Sequence, residues 1–171
     1  GRQLLTAGVD KTARLWDLIG RTESEFRFES SVLSADLSAD EQQLLIIEGS
    51  DLTNLHNLAG AAQQNKPSQA TVIHTRTSHR SLIQTESPPR LGRIRPDGRQ
   101  VAILMQDETV GLFDAGTGKL ISQFNPNRRL IQNFAFSPDS HELLVMHADE
   151  LSLWDLESGA ELVRIPHRDG F

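Results

Sequence analysis

The chain has 171 residues, 37% of them hydrophobic and 23% charged, with a formal net charge of −6 and a pI near 5.5. An acidic balance of this kind argues against a surface built for nucleic acid. The absence of cysteine excludes a disulfide framework and a thiolate metal site, and no apolar run approaches the ~18–20 residues of a helical membrane span.

In chain order, the first apolar run is Leu4-Leu5, followed by a turn at Asp10 and by Thr12-Ala13-Arg14-Leu15-Trp16, in which apolar residues alternate as in a half-buried strand. A second unit passes the turn Ser38-Ala39-Asp40, the run Leu44-Leu45-Ile46-Ile47, a turn at Asp51 and the pair His56-Asn57, with Ser81 to Thr85 as its outer strand. The third has Arg95-Pro96-Asp97-Gly98, Val101 to Leu104, a turn at Asp107, Phe113-Asp114, and a last strand from Lys119 to Phe124 after Gly118. The fourth opens with Ile131 to Phe136 and Ser137-Pro138-Asp139, and continues through Leu143 to Met146, a turn at Asp149, Glu150 to Trp154, and Glu161 to Ile165 after Gly159. Continuous apolar runs suit strands covered on both faces.

These units repeat. Trp16-Asp17, His56-Asn57, Phe113-Asp114 and Trp154-Asp155 place their second members 40, 57 and 41 residues apart, and two of those spacings match the roughly 40–45-residue period of four-stranded propeller blades. Asp40, Asp97 and Asp139 precede the pairs by 17, 17 and 16 residues, an independent marker in the same register. The expected fold is therefore all-β, with β-propeller blades of four antiparallel strands in a partial ring. Its units are approximately 1–28 lacking a first strand, 29–85 with an insertion near 59–80, 86–126 and 127–166, with 167–171 beginning a further blade.

Carried by Ser137-Pro138-Asp139, Asp10-Lys11-Thr12 and the two Trp-Asp pairs, the chain resembles the WD-repeat (tryptophan-aspartate) β-propeller family over nearly its whole length. In that family a His, a Ser or Thr, an Asp and a Trp often fasten a blade in series. The resemblance implies such roles for Thr6, Asp10 and Trp16, for Trp154, and for His167, where Pro166 replaces the family's Gly. Val145 and Met146 stand where the last unit needs a hydroxyl, so its network is expected to be incomplete. The chain reads as a fragment of a longer array. With a strand missing, the fragment is expected to associate with further blades of its own chain or with a second copy.

The second unit carries a basic stretch. No acidic residue occurs between Asp51 and Glu86, whereas Lys66, Arg76 and Arg80 lie there with His74 and His79. The expectation is a long loop between the third and fourth strands, either a solvated insertion or a mildly basic docking loop for an acidic partner; Thr71-Val72-Ile73 adds a short strand at most. Arginine outnumbers lysine 14 to 3. Arg90, Arg93, Arg95, Arg128 and Arg129 offer a second contact surface, because guanidinium groups suit planar and bidentate contacts.

Chemistry-bearing motifs are scarce. His74 and His79 are five apart without a carboxylate companion, and the sequence has no phosphate-cradling glycine loop and no nucleophile elbow. Neither catalytic, cofactor-binding nor metal-binding residues are assigned, and no cofactor, nucleic acid or membrane is expected. The resemblance implies a non-catalytic protein–protein interaction scaffold within a larger protein, with a bacterial multidomain protein as one such setting and other proteins as partners. The competing readings are a regulatory propeller fused to a kinase or ATPase module, and an enzymatic or small-ligand propeller with its site at the central channel. Compartment is left open, with the cytoplasm slightly favoured.

Overall fold

A computed structural model describes residues 3–18, 22–49, 68–124 and 130–166. Among them are fifteen strands and no helix. The first sheet is β1 (Gln3–Ala7), β2 (Thr12–Asp17) and β3 (Thr22–Arg27); the second is β4 (Ser31–Leu37), β5 (Gln43–Gly49), β6 (Gln69–His74) and β7 (Arg80–Ile83). The third comprises β8 (Pro89–Ile94), β9 (Gln100–Met105), β10 (Val110–Asp114) and β11 (Leu120–Phe124), and the fourth β12 (Ile131–Phe136), β13 (Glu142–His147), β14 (Glu150–Asp155) and β15 (Glu161–Pro166). All pairing is antiparallel between strands adjacent in sequence.

The turns explain that topology. Ser38 Oγ donates to Asp40 Oδ1 at 2.6 Å, Asp40 Oδ1 accepts Gln42 N–H at 3.1 Å, and Gln43 N–H donates to Ser38 Oγ at 2.9 Å. Ser137, Asp139, His141 and Glu142 repeat the arrangement at 2.6, 3.2 and 2.9 Å. A short polar side chain thus satisfies the backbone where the chain reverses. The next residue takes left-handed backbone, with φ of 60° at Glu41, 72° at Gly98 and 68° at Ser140.

The sheets stack face to face as propeller blades in a partial ring. Val101, Ile103 and Met105 on β9 pack with Leu45, Ile47 and Val72 of the second sheet, whereas Ala102 and Leu104 pack with Leu143, Val145 and Phe134 of the fourth. Leu44, Ile46 and Ile73 turn the other way, onto Ala13 and Phe26 of the first sheet. Burial on both faces is why β5 and β9 read as unbroken apolar runs.

One expectation is corrected. The third strand of the second blade is Gln69–His74, paired with β5 on one side and β7 on the other, so Thr71-Val72-Ile73 is central and not an addition to a loop. Gln43 faces His74 as Gln100 faces Asp114 and Glu142 faces Asp155. The pair position is thus held by Ile73-His74, and the surplus lies between β5 and β6. His56-Asn57 lies outside the described residues.

Candidate interaction surface

The first strands β4, β8 and β12 bring the polar groups of successive blades together. Each carries a bulge, between Val32 and Ser34, between Pro89 and Leu91, and between Ile131 and Asn133. A bulge inserts one residue and re-aims a side chain. At the second bulge, Arg90 Nη2 donates to Ile131 O at 2.6 Å and to Glu108 Oε2 at 3.2 Å, while Glu108 Oε2 also accepts Ile131 N–H at 2.8 Å. Arg93 donates to Gly92 O and Asn133 Oδ1, and Arg95 donates to Gln100 Oε1 at 2.9 Å with Asp97 3.5 Å away. Arg90 and Arg93 therefore act as struts between blades and Arg95 braces its own, so they do not form the free contact surface expected of them. Arg128 and Arg129 lie outside the described residues.

Asp36 ties the second blade to the third. Its Oδ2 accepts Ile94 N–H at 2.8 Å across the gap between β4 and β8. Burial pushes this carboxyl above its usual value, against the pull of Ile94 N–H and the nearby Arg93 charge. A raised folded pKa means stability present at low pH and lost as pH rises from the ordinary carboxylate range through the folded value. Asp36→Asn, which keeps an acceptor for Ile94, is expected to remove that loss. Asp36→Ala leaves the N–H unmatched and is expected to cost about 1–3 kcal/mol; thermal melts of both variants between pH 4 and 7 check this.

Asp114 and Asp155 serve turns. Asp114 Oδ1 accepts both the backbone N–H and the hydroxyl of Thr117 at 2.7 Å, and Asp155 does the same with Ser158. In each case the side-chain hydroxyl bond is the main reason the carboxyl sits below its ordinary pKa. His74 stands in the same role, with Thr77 N–H donating to its Nδ1 at 3.4 Å.

Both tryptophans are fastened, by different partners. Trp16 Nε1 donates to Thr6 Oγ1 at 2.8 Å. Asp10 stands outside that bond, accepting instead from the Thr12 hydroxyl and from Arg14 Nη1 at 2.9 Å. In the fourth blade the hydroxyl missing at Val145 and Met146 comes from Ser152, two residues before the tryptophan on the same strand. Its Oγ accepts Trp154 Nε1–H at 2.9 Å and lies 3.3 Å from Nε2 of the buried His147. That blade is fastened after all, through Ser152 and His147. His167 lies outside the described residues.

On the rim where the first and second blades meet, Arg80 stacks its guanidinium 5.2 Å from the centre of the Phe28 ring. Its Nη2 reaches Arg27 O at 3.5 Å. Arg76, His79 and Arg80 are exposed, and Arg27 is 79% exposed despite its pairing with Glu25. Sequence reasoning had missed Arg27 and Phe28; only the pairing of the sheets brings them beside β7. Lys66 lies outside the described residues.

Among the described residues, grooves open between neighbouring blades. One of about 390 Å³ runs between β1 and β4 and includes Leu5, Val32, Ser34 and Asp36. A second of about 400 Å³ is lined by Arg90, Leu104, Leu130 and Ile131, and a third of about 260 Å³ by Arg95, Gln100, His141 and Glu157. No group of three or more His, Cys, Asp or Glu that could hold a metal ion occurs among the described residues. No protein-family model matches the chain, and no curated protein matches it.

Proposed function

We propose that the chain is a segment of a WD-repeat propeller that serves as a non-catalytic protein–protein interaction scaffold. The carrying observation is a division of labour among its polar residues. Asp10, Asp40, Asp97, Asp107, Asp114, Asp139 and Asp155 each accept a hydrogen bond from their own turn, whereas Arg76 and Arg80 stand exposed on a sheet rim. Rigid sheets that present exposed cationic side chains can bind without reaction chemistry. The WD-repeat reading rests on Trp16-Asp17, Phe113-Asp114 and Trp154-Asp155, which occupy equivalent register positions at the ends of β2, β10 and β14.

The partner class that fits Arg27, Arg76 and Arg80 is an acidic peptide segment. Fluorescence anisotropy with labelled acidic, neutral and basic peptides tests this. Acidic peptides are expected to bind best, to weaken on raising salt above ~0.15 M, and to lose about tenfold or more in affinity in Arg76→Glu/Arg80→Glu. Equal binding of all three peptides, or an unchanged double variant, overturns the assignment.

A further inference from the structure

Ser38, Arg95 and Ser137 hold one position in three equivalent turns, each donating its N–H at 2.9 Å, to Gln43 O, Gln100 O and Glu142 O in turn. In the second and fourth blades the serine hydroxyl also closes the turn on Asp40 or Asp139. Arginine cannot repeat that closure. The Arg95 side chain, 18% exposed, leaves the turn instead, and its Nη1 donates to Gln100 Oε1 at 2.9 Å. Its Nε is buried 3.5 Å from Asp97 Oδ2 without making a hydrogen bond there, and Nη2 has no partner among the described residues. A buried donor left unmatched is costly, and a serine would have met the needs of the turn without it.

The guanidinium borders the groove of about 260 Å³ between the third and fourth blades. On the third blade the wall follows the sheet order from β11 to β8, with Ile121, 52% exposed, then Leu112, Gln100 and Arg95. The fourth blade faces it with Leu156 and Glu157, just past β14, and with His141, just before β13. Leu156 packs with the cluster that joins these two sheets, so the groove lies on the face of the fourth sheet that is turned to the third. One end of the groove is apolar. The other carries a guanidinium, an imidazole and a carboxamide.

We propose that this groove binds a short monocarboxylic acid with an aliphatic tail, its carboxylate on Arg95 and its tail over Leu112, Ile121 and Leu156. A guanidinium donor suits a carboxylate oxygen, and such charge-assisted bonds are stronger than neutral ones. The surroundings admit one negative charge only, because Asp97 beside Arg95 and the exposed Glu157 oppose a second. The groove also sets a short tail, being smaller than the ~300–1,000 Å³ of drug-sized sites. This site is independent of the basic rim and of the scaffold reading.

Calorimetric titration of the 171-residue chain with hexanoate, hexanol, adipate and butyrate at fixed ionic strength tests it. Hexanoate is expected to bind with a dissociation constant of about a millimolar. Hexanol, lacking the charge, is expected to bind about tenfold more weakly or worse, and adipate to bind more weakly because its far carboxylate meets Glu157. Butyrate is expected to lose about 15-fold against hexanoate, at roughly fourfold for each of two methylenes. Arg95→Ser, which gives the third turn the residue of the other two, is expected to keep the melting temperature and to lose about tenfold or more in hexanoate affinity. Ile121→Ser, at an exposed position, is expected to weaken hexanoate more than butyrate. Absence of hexanoate binding, or equal binding of hexanoate and hexanol, overturns the proposal. So does a folded Arg95→Ser that binds hexanoate as wild type does; should that variant fail to fold, an Ile121→Ser protein with unchanged hexanoate affinity overturns it instead.

Discussion

Replacing Phe113 with alanine is expected to lower unfolding stability by about 3–5 kcal/mol, the usual cost of removing a large aromatic side chain from a packed core. Phe113 is 2% exposed and belongs to the cluster that joins the second sheet to the third, with Leu45, Ile47, Val72 and Ile83 around it. Its ring also lies over Gly111: a Cβ there would come within 2.5 Å of Phe113 Cε2. The glycine therefore makes room for the ring, and the cavity left by Phe113→Ala has no side chain at 111 to fill it. Domains of this kind hold only about 5–15 kcal/mol in total, so the variant is expected to lose much of its margin. Leu120→Ala supplies the contrast, since Leu120 pairs with Phe113 on the same face but is 47% exposed. Urea denaturation followed by tryptophan emission reads both ends of the stack, through Trp16 in the first sheet and Trp154 in the last. A Phe113→Ala midpoint as high as that of Leu120→Ala would contradict the packing of these two sheets.

The fold was legible where turn chemistry and strand pattern agreed. Asp40, Asp97 and Asp139 mark three reversals because a carboxylate two residues before an N–H is a short-range device, visible in a window of five residues. The second blade's third strand was misplaced because its end carries Ile73-His74 instead of an aromatic and an aspartate, while His56-Asn57 falls at the repeat spacing without filling the position. A chemical signal was nonetheless present. His74-Thr75-Arg76-Thr77-Ser78 aligns with Asp114-Ala115-Gly116-Thr117-Gly118, and a neutral imidazole nitrogen accepts an N–H much as a carboxylate oxygen does. The three turns match in detail: Ser78, Gly118 and Gly159 all donate N–H to the carbonyl of the residue four earlier, at 2.8 to 2.9 Å.

The candidate surface was less legible, because its residues come together only through sheet stacking. Arg90 and Arg93 looked like a contact patch in sequence, yet the carbonyl and carboxamide that engage them, Ile131 O and Asn133 Oδ1, lie about forty residues away. Ser152 could have been found. Residues two apart on a strand share a face, so a hydroxyl at 152 lies within reach of the indole at 154 without help from the neighbouring strand.

The matched turns give the second large prediction. Gly118 and Gly159 have nearly the same backbone, φ of 70° and 69°, and Ser78 holds φ of 58° at the equivalent place. Left-handed backbone costs a residue with a Cβ roughly 1–2 kcal/mol, and that is all Gly159→Ala is expected to lose, since a Cβ there meets nothing within 4 Å. At Gly118 the added carbon would stand 2.5 Å from Leu82 O. That neighbour is backbone of β7, held in its ladder opposite Thr71, so it cannot rotate away as a side chain would. Ser81 Oγ, donating to Gly116 O at 2.8 Å, seats the same turn against the same strand. Gly118→Ala is therefore expected to lose a further 1–3 kcal/mol or so, the range for overfilling a packed contact. Ser78→Gly is the opposite arm, relieving left-handed strain while adding freedom to the unfolded chain, for a net change within about 1 kcal/mol. Thermal melts of the three variants separate the terms. If Gly118→Ala falls no further than Gly159→Ala, the third sheet's outer turn does not rest on β7, and the rim contact between those two blades is absent in solution.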